Sequence, residues 1–360
     1  MQWYEIKLKV HTALGTRLSA DTLFGHLCWA LRYHEGEAAL TDFLRAYADG
    51  APPLLLSDAF PDGYWPLPHL PRPTPKQEKD LLEKIRGIKT NELVNHLYVE
   101  KDGEKRLPVP VRNAQPNEIE AFDLLKWMYK LCFLPDKGLY ALCGGLSSES
   151  VFHWFLDNEC GSPVLPKETV VAHNTISRLT GTTGQEGSLF FTKEWHINPF
   201  NPPVFRLLAA SARYDGERLK NLLAQALEGG YGKYKSRGKG KVSVESVSPA
   251  VLPAASKPNA VLLLAACAPA EQDPAEGFWK LQTKIGKLGG DWAVGPHPSG
   301  IHDAYKKPLI LLTAGSVLKT DSPRPFYGRL VQNIHRSFPE VCHYALAPAV
   351  PVCCAFTEVL

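Results

Sequence analysis

Residues 203–247 read PVFRLLAASARYDGERLKNLLAQALEGGYGKYKSRGKGKVSVESV, and their order sets the fold. PVFRLLAASARY is strand-like in composition and pattern. In GERLKNLLAQALEGG the apolar Leu219, Leu222, Leu223, Ala226 and Leu227 share one face at helical spacing. The pair Gly229–Gly230 is a helix stop, because glycine adopts the left-handed conformation that ends a helix. KVSVESV then alternates as a second strand. The unit is strand–helix–strand, with a basic loop joining the helix to the second strand.

The N-terminus follows the same plan. WYEIKLKV alternates with period two, and Ser19 or Asp21 can cap the helix that follows. Leu23, Phe24, Leu27, Cys28 and Leu31 form its apolar face. Two such halves predict a ferredoxin-like βαββαβ unit of the α+β class. It would occupy residues 1–250, with insertions at about 35–200 and the glycine-rich loop at 229–240. Within the insertions, APPLLLSDAFPDGYWPLPHLPRPTP reads as proline-punctuated loop. PKQEKDLLEKIRGIKTNELVNHL reads as a charged, solvent-facing helix broken near Gly87, and the stretch from Val170 to Ile197 as a polar loop entering a strand. After the linker-like VSPAVLPAASKPN a second, smaller ferredoxin-like domain is predicted over 251–360. There NAVLLLAACAPA, KKPLILLTAGSV and CHYALAPAVPV are strands, and EGFWKLQTKIGKLGG is a short helix.

Composition narrows the class. With 44% hydrophobic and 21% charged residues over 360 positions the chain is an ordinary soluble globular protein. The net charge of +3 is small beside 40 basic and 37 acidic residues, so any basic character that matters is local. The eight cysteines contain no Cys-x-x-Cys knuckle, which argues against a zinc site and for reduced thiols in the cytoplasm. The longest apolar stretch, AVLLLAACA, is too short to span a bilayer, and no signal peptide is evident. The acids, Asp21 and Asp291 among them, show no clustered pattern, and His297 and His302 read as loop polarity. No cofactor or metal is expected.

The local basic character lies in GGYGKYKSRGKGK. From Gly229 to Lys241 five basic residues, Lys233, Lys235, Arg237, Lys239 and Lys241, interleave with five glycines and two tyrosines, without one acid. A P-loop is excluded, because neither Gly238-Lys239 nor Gly240-Lys241 is followed by Ser or Thr or preceded by glycine at the required distance. The dinucleotide fingerprint fails at Lys235, where its third glycine belongs. A nucleic-acid groove fits: glycines admit a ribose-phosphate chain, backbone amides donate to phosphates, and lysine and arginine neutralise them. Tyr231 and Tyr234 can stack on single-stranded bases. A second polar stretch, VVAHNTISRLTGTTG (170–184), gathers His173, Asn174, Arg178, Thr180, Thr182 and Thr183 with no acid, as another wall of one anion-tolerant surface.

Four segments together, ADTLFGHLCWAL (20–31), HNTISRLTGTT (173–183), GGYGKYKSRGKGKV (229–242) and LTAGSV (312–317), closely resemble motifs of the type III-A CRISPR RAMP subunit, the fourth subunit of the Csm interference complex. The resemblance implies two tandem ferredoxin-like, RNA-recognition-motif-like domains with a protruding β-hairpin thumb. It implies a non-catalytic subunit that clamps the 5′ handle of the CRISPR RNA. Its partners would be the large polymerase/cyclase subunit and the backbone RAMP subunit of the filament, with no membrane. Carried over, Tyr231, Gly232, Lys233, Lys235, Ser236, Arg237, Gly238, Lys239 and Lys241 belong to the RNA loop, and His173, Asn174, Arg178 and Thr180 to the polar motif beside it. The chain is long for the family, the extra length lying around 35–170. KVSVESV carries no aromatic pair, so RNA is expected on loops and not on an open sheet face.

The alternative is a metal-independent RAMP endoribonuclease that processes precursor CRISPR RNA. A general base would activate the 2′-hydroxyl and a cation would stabilise the phosphate. His11 and His26 are the candidate bases, and Lys239 or Arg237 the candidate cation.

Overall fold

A computed structural model describes residues 1–101, 104–183, 189–293 and 304–356. The chain divides into two compact units, Met1–Leu54 with Val164–Pro249, and Leu55–Pro163 with Ala250–Leu360. The sequence reading counted 55–163 among the insertions of a domain over 1–250; here these residues fall with 250–360.

In the first unit the alternation of strand β1 (Gln2–Val10) buries Tyr4, Ile6, Leu8 and Val10 and leaves the intervening residues partly exposed. Helix α1 (Ala20–Glu35) and helix α2 (Glu37–Ala48) follow. A two-stranded antiparallel hairpin, β2 (Lys167–Asn174) and β3 (Leu189–His196), comes next, then strand β4 (Val204–Ser211), helix α3 (Gly216–Leu227) and strand β5 (Val242–Pro249). β1 is the middle strand: Ile6 lies opposite Leu207 of β4 and Leu8 opposite Val244 of β5, both antiparallel. Beyond β4, the Pro53 carbonyl accepts from the Ala212 amide at 3.2 Å, which lays the chain leaving α2 along that edge.

The helices bury the predicted faces. Asp215 caps α3 by accepting from the Arg218 amide at 2.8 Å, and Leu219, Leu222, Leu223, Ala226 and Leu227 are buried. Each such leucine contributes about 1.5–3 kcal/mol over an exposed one. On α1 the buried set is Ala20, Leu23, Phe24, Leu27, Ala30 and Leu31; Cys28 is only partly covered. Ser19 occupies the N-cap position without a side-chain cap, and its hydroxyl donates to the Asp21 carboxylate at 2.6 Å. Phe24, Phe43 and Tyr47 close the α1–α2 interface, the Phe24 ring 5.8 Å from Phe43 and 5.3 Å from Tyr47.

The second unit is built on a five-stranded antiparallel sheet in the order Gly277–Phe278, Val317–Lys319, Ala260–Leu263, His343–Val352, Phe326–Val331. Its helices come from 75–157, and capping boxes at Thr74–Gln77, Asn117–Glu120 and Ser147–Ser150 start three of them. The two stretches of chain are sewn together by backbone hydrogen bonds: Leu146 amide to Cys353 carbonyl at 2.7 Å, Asp58 to Leu264 at 2.9 Å, His69 to Gly315 at 2.7 Å.

Three expectations need correcting here. Leu281–Lys284, read as helix, is a strand paired with Leu309–Leu312, Gln282 facing Leu311. Its alternation of Trp279, Leu281 and Thr283 with Lys280, Gln282 and Lys284 has period two, and that pattern won. The helix broken at Gly87 ends there, and its charged Lys76, Lys79, Glu83 and Arg86 face solvent as expected, but Leu81, Ile85 and Leu93 are fully buried, so the segment packs one face into the core. The proline-punctuated stretch carries short strands at Leu54–Leu56, Phe60–Pro61 and Tyr64–Pro66, with Trp65 buried.

All eight cysteines are free thiols. Among the described residues no helix is long and apolar enough to cross a membrane, and no group of three or more His, Cys, Asp or Glu is placed to hold a metal ion. His297 and His302 lie outside the described residues.

Candidate nucleic-acid interface

The glycine-rich loop begins where α3 stops. The Gly230 amide donates to the Leu227 carbonyl at 2.9 Å, and the chain then drives Tyr231 into the core, fully buried. The Tyr231 hydroxyl donates to the Arg17 carbonyl at 2.7 Å and accepts from the Ser19 amide at 2.9 Å, and its ring stacks on His26 at 5.4 Å. Burial raises its pKa, so the phenol stays protonated and keeps both bonds. This corrects the sequence reading: Tyr231 anchors the loop and is not available to stack on a base.

From this anchor the loop is fastened to the segment that follows β1 and to α1. The Tyr231 amide donates to the Gly240 carbonyl at 2.8 Å, closing the neck. The Gly240 amide donates to the Ala13 carbonyl at 2.9 Å, the Lys241 amide to the Thr12 hydroxyl at 2.9 Å and the Lys233 amide to the Thr16 hydroxyl at 3.1 Å. The Gly232 amide donates to His26 Nε2 at 3.0 Å. Burial, with help from the positive Lys235, lowers the His26 pKa to about 4, which keeps that nitrogen a free acceptor near neutral pH. Gly240 is obligatory: its φ is +73°, and a Cβ there would sit 2.1 Å from the Tyr231 carbonyl oxygen. Lys235–Arg237 form one turn of 3₁₀ helix, entered through a left-handed Tyr234 (φ 63°).

The fastening leaves the cations outside. Lys233, Lys235, Ser236, Arg237 and Lys241 are exposed, and among the described residues no carboxylate pairs with the four basic ones. Arg237 lies over the Tyr234 ring, 5.3 Å from its centre. Lys239 is different. Its ammonium pairs with the Glu194 carboxylate of β3, so it ties the loop to the hairpin and is not an open phosphate contact.

The β2–β3 hairpin replaces the polar loop expected at 170–197, with Lys167 opposite His196 and Asn174 opposite Leu189. Trp195 and Leu14 exchange backbone hydrogen bonds at 2.9 Å each, and Arg17 lies over the Trp195 ring at 5.3 Å. The side chain of Glu194 is 1% exposed, with His196 Nε2 at 3.3 Å and His173 Nε2 at 3.6 Å in addition to Lys239. Burial alone would raise its pKa, but the hydrogen bond and charge of Lys239, joined by His196 and His173, hold the carboxyl below its ordinary value. His173 bonds Thr192 Oγ1 at 2.8 Å, stacks on Phe190 at 5.2 Å and reaches Tyr234 at 6.3 Å. Of the polar motif, His173 thus meets the glycine loop. Asn174, Arg178 and Thr180 are exposed further along the hairpin, where Thr180 Oγ1 bonds Thr182 Oγ1 at 2.9 Å.

No protein-family model matches the sequence, and no curated protein matches it. Solved structures do. A chain in a crystal structure of a Csm1–Csm4 cassette in complex with pppApA aligns over 99% of this chain and 100% of its own, with a TM-score of 0.53 and 16% identity. The same cassette in complex with AMPPNP gives the same coverage, score and identity. A chain of a Csm3–Csm4 subcomplex in the type III-A CRISPR-Cas interference complex aligns over 97% of this chain at a TM-score of 0.45. This chain shares its fold with the aligned chain of those Csm1–Csm4 cassettes.

Within this fold, sequence reasoning missed the residues that hold the loop: Thr12, Thr16 and Arg17 on one side, Glu194, Trp195 and His196 on the other. One signal was available. Glu194 stands in a strand, LFFTKEWH, next to a segment short of acids, where a buried carboxylate needs a cation from elsewhere.

Proposed function

We propose that this chain is a non-catalytic RNA-binding subunit of a type III CRISPR effector complex of the Csm kind. In this reading it clamps the 5′ handle of the CRISPR RNA and bridges the large polymerase/cyclase subunit to the backbone RAMP filament in the cytoplasm. The observation that carries it is the glycine-rich loop, a fixed frame presenting Lys233, Lys235, Arg237 and Lys241 outward without carboxylate partners among the described residues. Preorganised cations bind a polyanion without first spending entropy on ordering the loop. The exposed Arg178, Thr180 and Asn174 of the hairpin, the proposed thumb, would add contacts. The strand–helix and strand–helix–strand segments of the first unit, with β1 between β4 and β5, suit a ferredoxin-like domain. The second unit would be the other domain of a tandem pair. The cassettes that share the fold contain Csm1 beside Csm4, which suits a role as a bridging subunit.

Lys235→Glu/Arg237→Glu tests this. With an RNA carrying the repeat-derived 5′ handle, the double reversal should cost roughly 10–100-fold in affinity at low salt. The dependence of log K on log salt should flatten by about 1.4, two phosphate contacts of a single strand. Unchanged binding at several salt concentrations would sink the proposal. Recovery of the RNA cut within the repeat, in EDTA, would make the chain a processing nuclease. Against that reading, His26 already accepts from Gly232 and makes a backbone hydrogen bond at Ala226, and His11 Nε2 bonds Ser243 Oγ at 2.7 Å.

A further inference from the structure

We infer that Glu194 is a positioning residue: a buried carboxylate that latches the glycine-rich loop onto the hairpin through Lys239, and so sets where the loop's outward cations stand. Its consequence for RNA rests on the function proposed above; the latch itself does not.

A carboxylate with 1% of its side chain exposed persists only if its charge is answered nearby. Glu194 pairs with Lys239 of the loop and has two imidazoles beside it, His173 of β2 and His196 two residues along β3. Only the first belongs to the loop. Lys239 stands between Arg237 and the neck glycine Gly240, on the returning limb. The outgoing limb is held by its own backbone bonds, Gly232 to His26 and Lys233 to Thr16. From Tyr234 to Lys239 the backbone bonds are internal to the turn, Arg237, Gly238 and Lys239 donating to Tyr234 and Lys235. The Glu194–Lys239 pair therefore ties this stretch, which carries Lys235 and Arg237, to β3. The hairpin is in turn pinned beside β1 by the reciprocal Leu14–Trp195 hydrogen bonds, so the latch has a fixed base.

A different role predicts the opposite sign. If Glu194 served only to neutralise Lys239, removing it would free a lysine for phosphate and strengthen RNA binding. A latch does the reverse: without it the turn samples other positions and binding weakens, although the site has become more positive.

The test uses the full chain and its Glu194→Gln, Lys239→Met and Lys239→Arg variants. Handle-RNA affinity is measured over a salt series, and hydrogen exchange over residues 232–241 without RNA. A latch predicts roughly 5–20-fold weaker binding for Glu194→Gln with little change in salt slope, and faster exchange confined to this loop. Lys239→Met should behave alike, the double variant should be no worse than either single one, and Lys239→Arg should restore both readouts. Tighter binding, with a slope steeper by about 0.7, would assign Glu194 the neutralising role instead. Unchanged exchange in both Glu194→Gln and Lys239→Met would overturn the latch. If the parent protein bound no handle RNA, the proposed function would fail, while the exchange measurement would still decide the latch. Should Glu194→Gln not fold, Lys239→Met and Lys239→Arg carry the same comparison from the exposed side of the pair.

Discussion

Two stretches of the first unit look alike in sequence and are held in opposite ways. GGYGKYKSRGKGK (229–241) and TISRLTGTT (175–183) are both polar, glycine-containing and free of acids. The first is fixed by bonds to residues 206 to 229 positions away in the chain. In the second, Ser177 donates to the Thr182 carbonyl at 3.0 Å and Gly181 to the Ser177 carbonyl at 2.9 Å, so the turn is held by itself. Its Leu179 is 98% exposed. The contrast separates two ways of presenting a cation. In the loop, the position of a charge is a property of the whole fold; in the turn it is a property of a few neighbouring residues. Substitutions that disturb the backbone should therefore cost more stability in the loop than in the turn.

Gly240 and Gly181 put this contrast to its hardest test. Both have positive φ, +73° and +66°. At Gly240 an added Cβ would meet the Tyr231 carbonyl oxygen at 2.1 Å, whereas at Gly181 it would meet nothing within 4 Å. Gly181→Ala should cost about 1–2 kcal/mol, the left-handed penalty alone. Gly240→Ala adds a backbone clash at the neck and should cost roughly 3–5 kcal/mol, among the severe single substitutions. Urea unfolding of the two variants decides it, and equal losses would mean that the neck is not the fixed point described above.

The pH dependence of stability should sharpen the same comparison, because the loop's anchor includes a half-buried neutral imidazole. The His26 pKa falls from 6.5 to about 4, by burial first and by Lys235 second. A group whose folded pKa is depressed adds stability that is complete above its unfolded pKa and is lost as pH falls towards the folded one. For His26 the loss would be about 2 kcal/mol by pH 5 and on the order of 3 kcal/mol below pH 4. His26→Gln keeps an acceptor for the Gly232 amide and removes the titration. Its unfolding midpoint should fall less steeply between pH 7 and 5 than that of the parent. Parallel curves would show that His26 does not titrate with folding. His69, lowered to about 4 by burial and Lys280, is a second such group, in the other unit, and stays in both proteins.

The elements that could be read from sequence were those whose residues answer to near neighbours. The α3 face and its glycine stop were legible because each rests on residues within a few positions. So was β1, whose alternation matches its burial residue for residue. What sequence hid was decided at long range. Tyr231, flanked by Gly230 and Gly232 among lysines, reads as exposed; it is buried because two backbone groups at Arg17 and Ser19 take its hydroxyl. Lys239 reads as one of five equal cations until Glu194 is seen beneath it. The hairpin was half visible, since the polar stretch was read as entering a strand, but VVAHN gives no sign of that strand's partner. At 281–284 the helical reading passed over a period of two.

The smallest expected effect lies at the turn, where it is most diagnostic. Arg178 is exposed and makes no ion pair among the described residues. Truncation to Ala should leave stability within about 0.5 kcal/mol of the parent, as for surface positions without special contacts. If the turn adds to the RNA surface, the same change should weaken handle binding by a few-fold and lower the salt slope by about 0.7, one phosphate contact. The two readouts must separate for the contrast to hold. A loss of stability approaching that of Gly240→Ala would mean that the turn, too, is fastened to the fold. Unaltered binding and slope would confine the proposed RNA surface to the glycine-rich loop and leave the hairpin the task that Glu194 gives it, holding that loop in place.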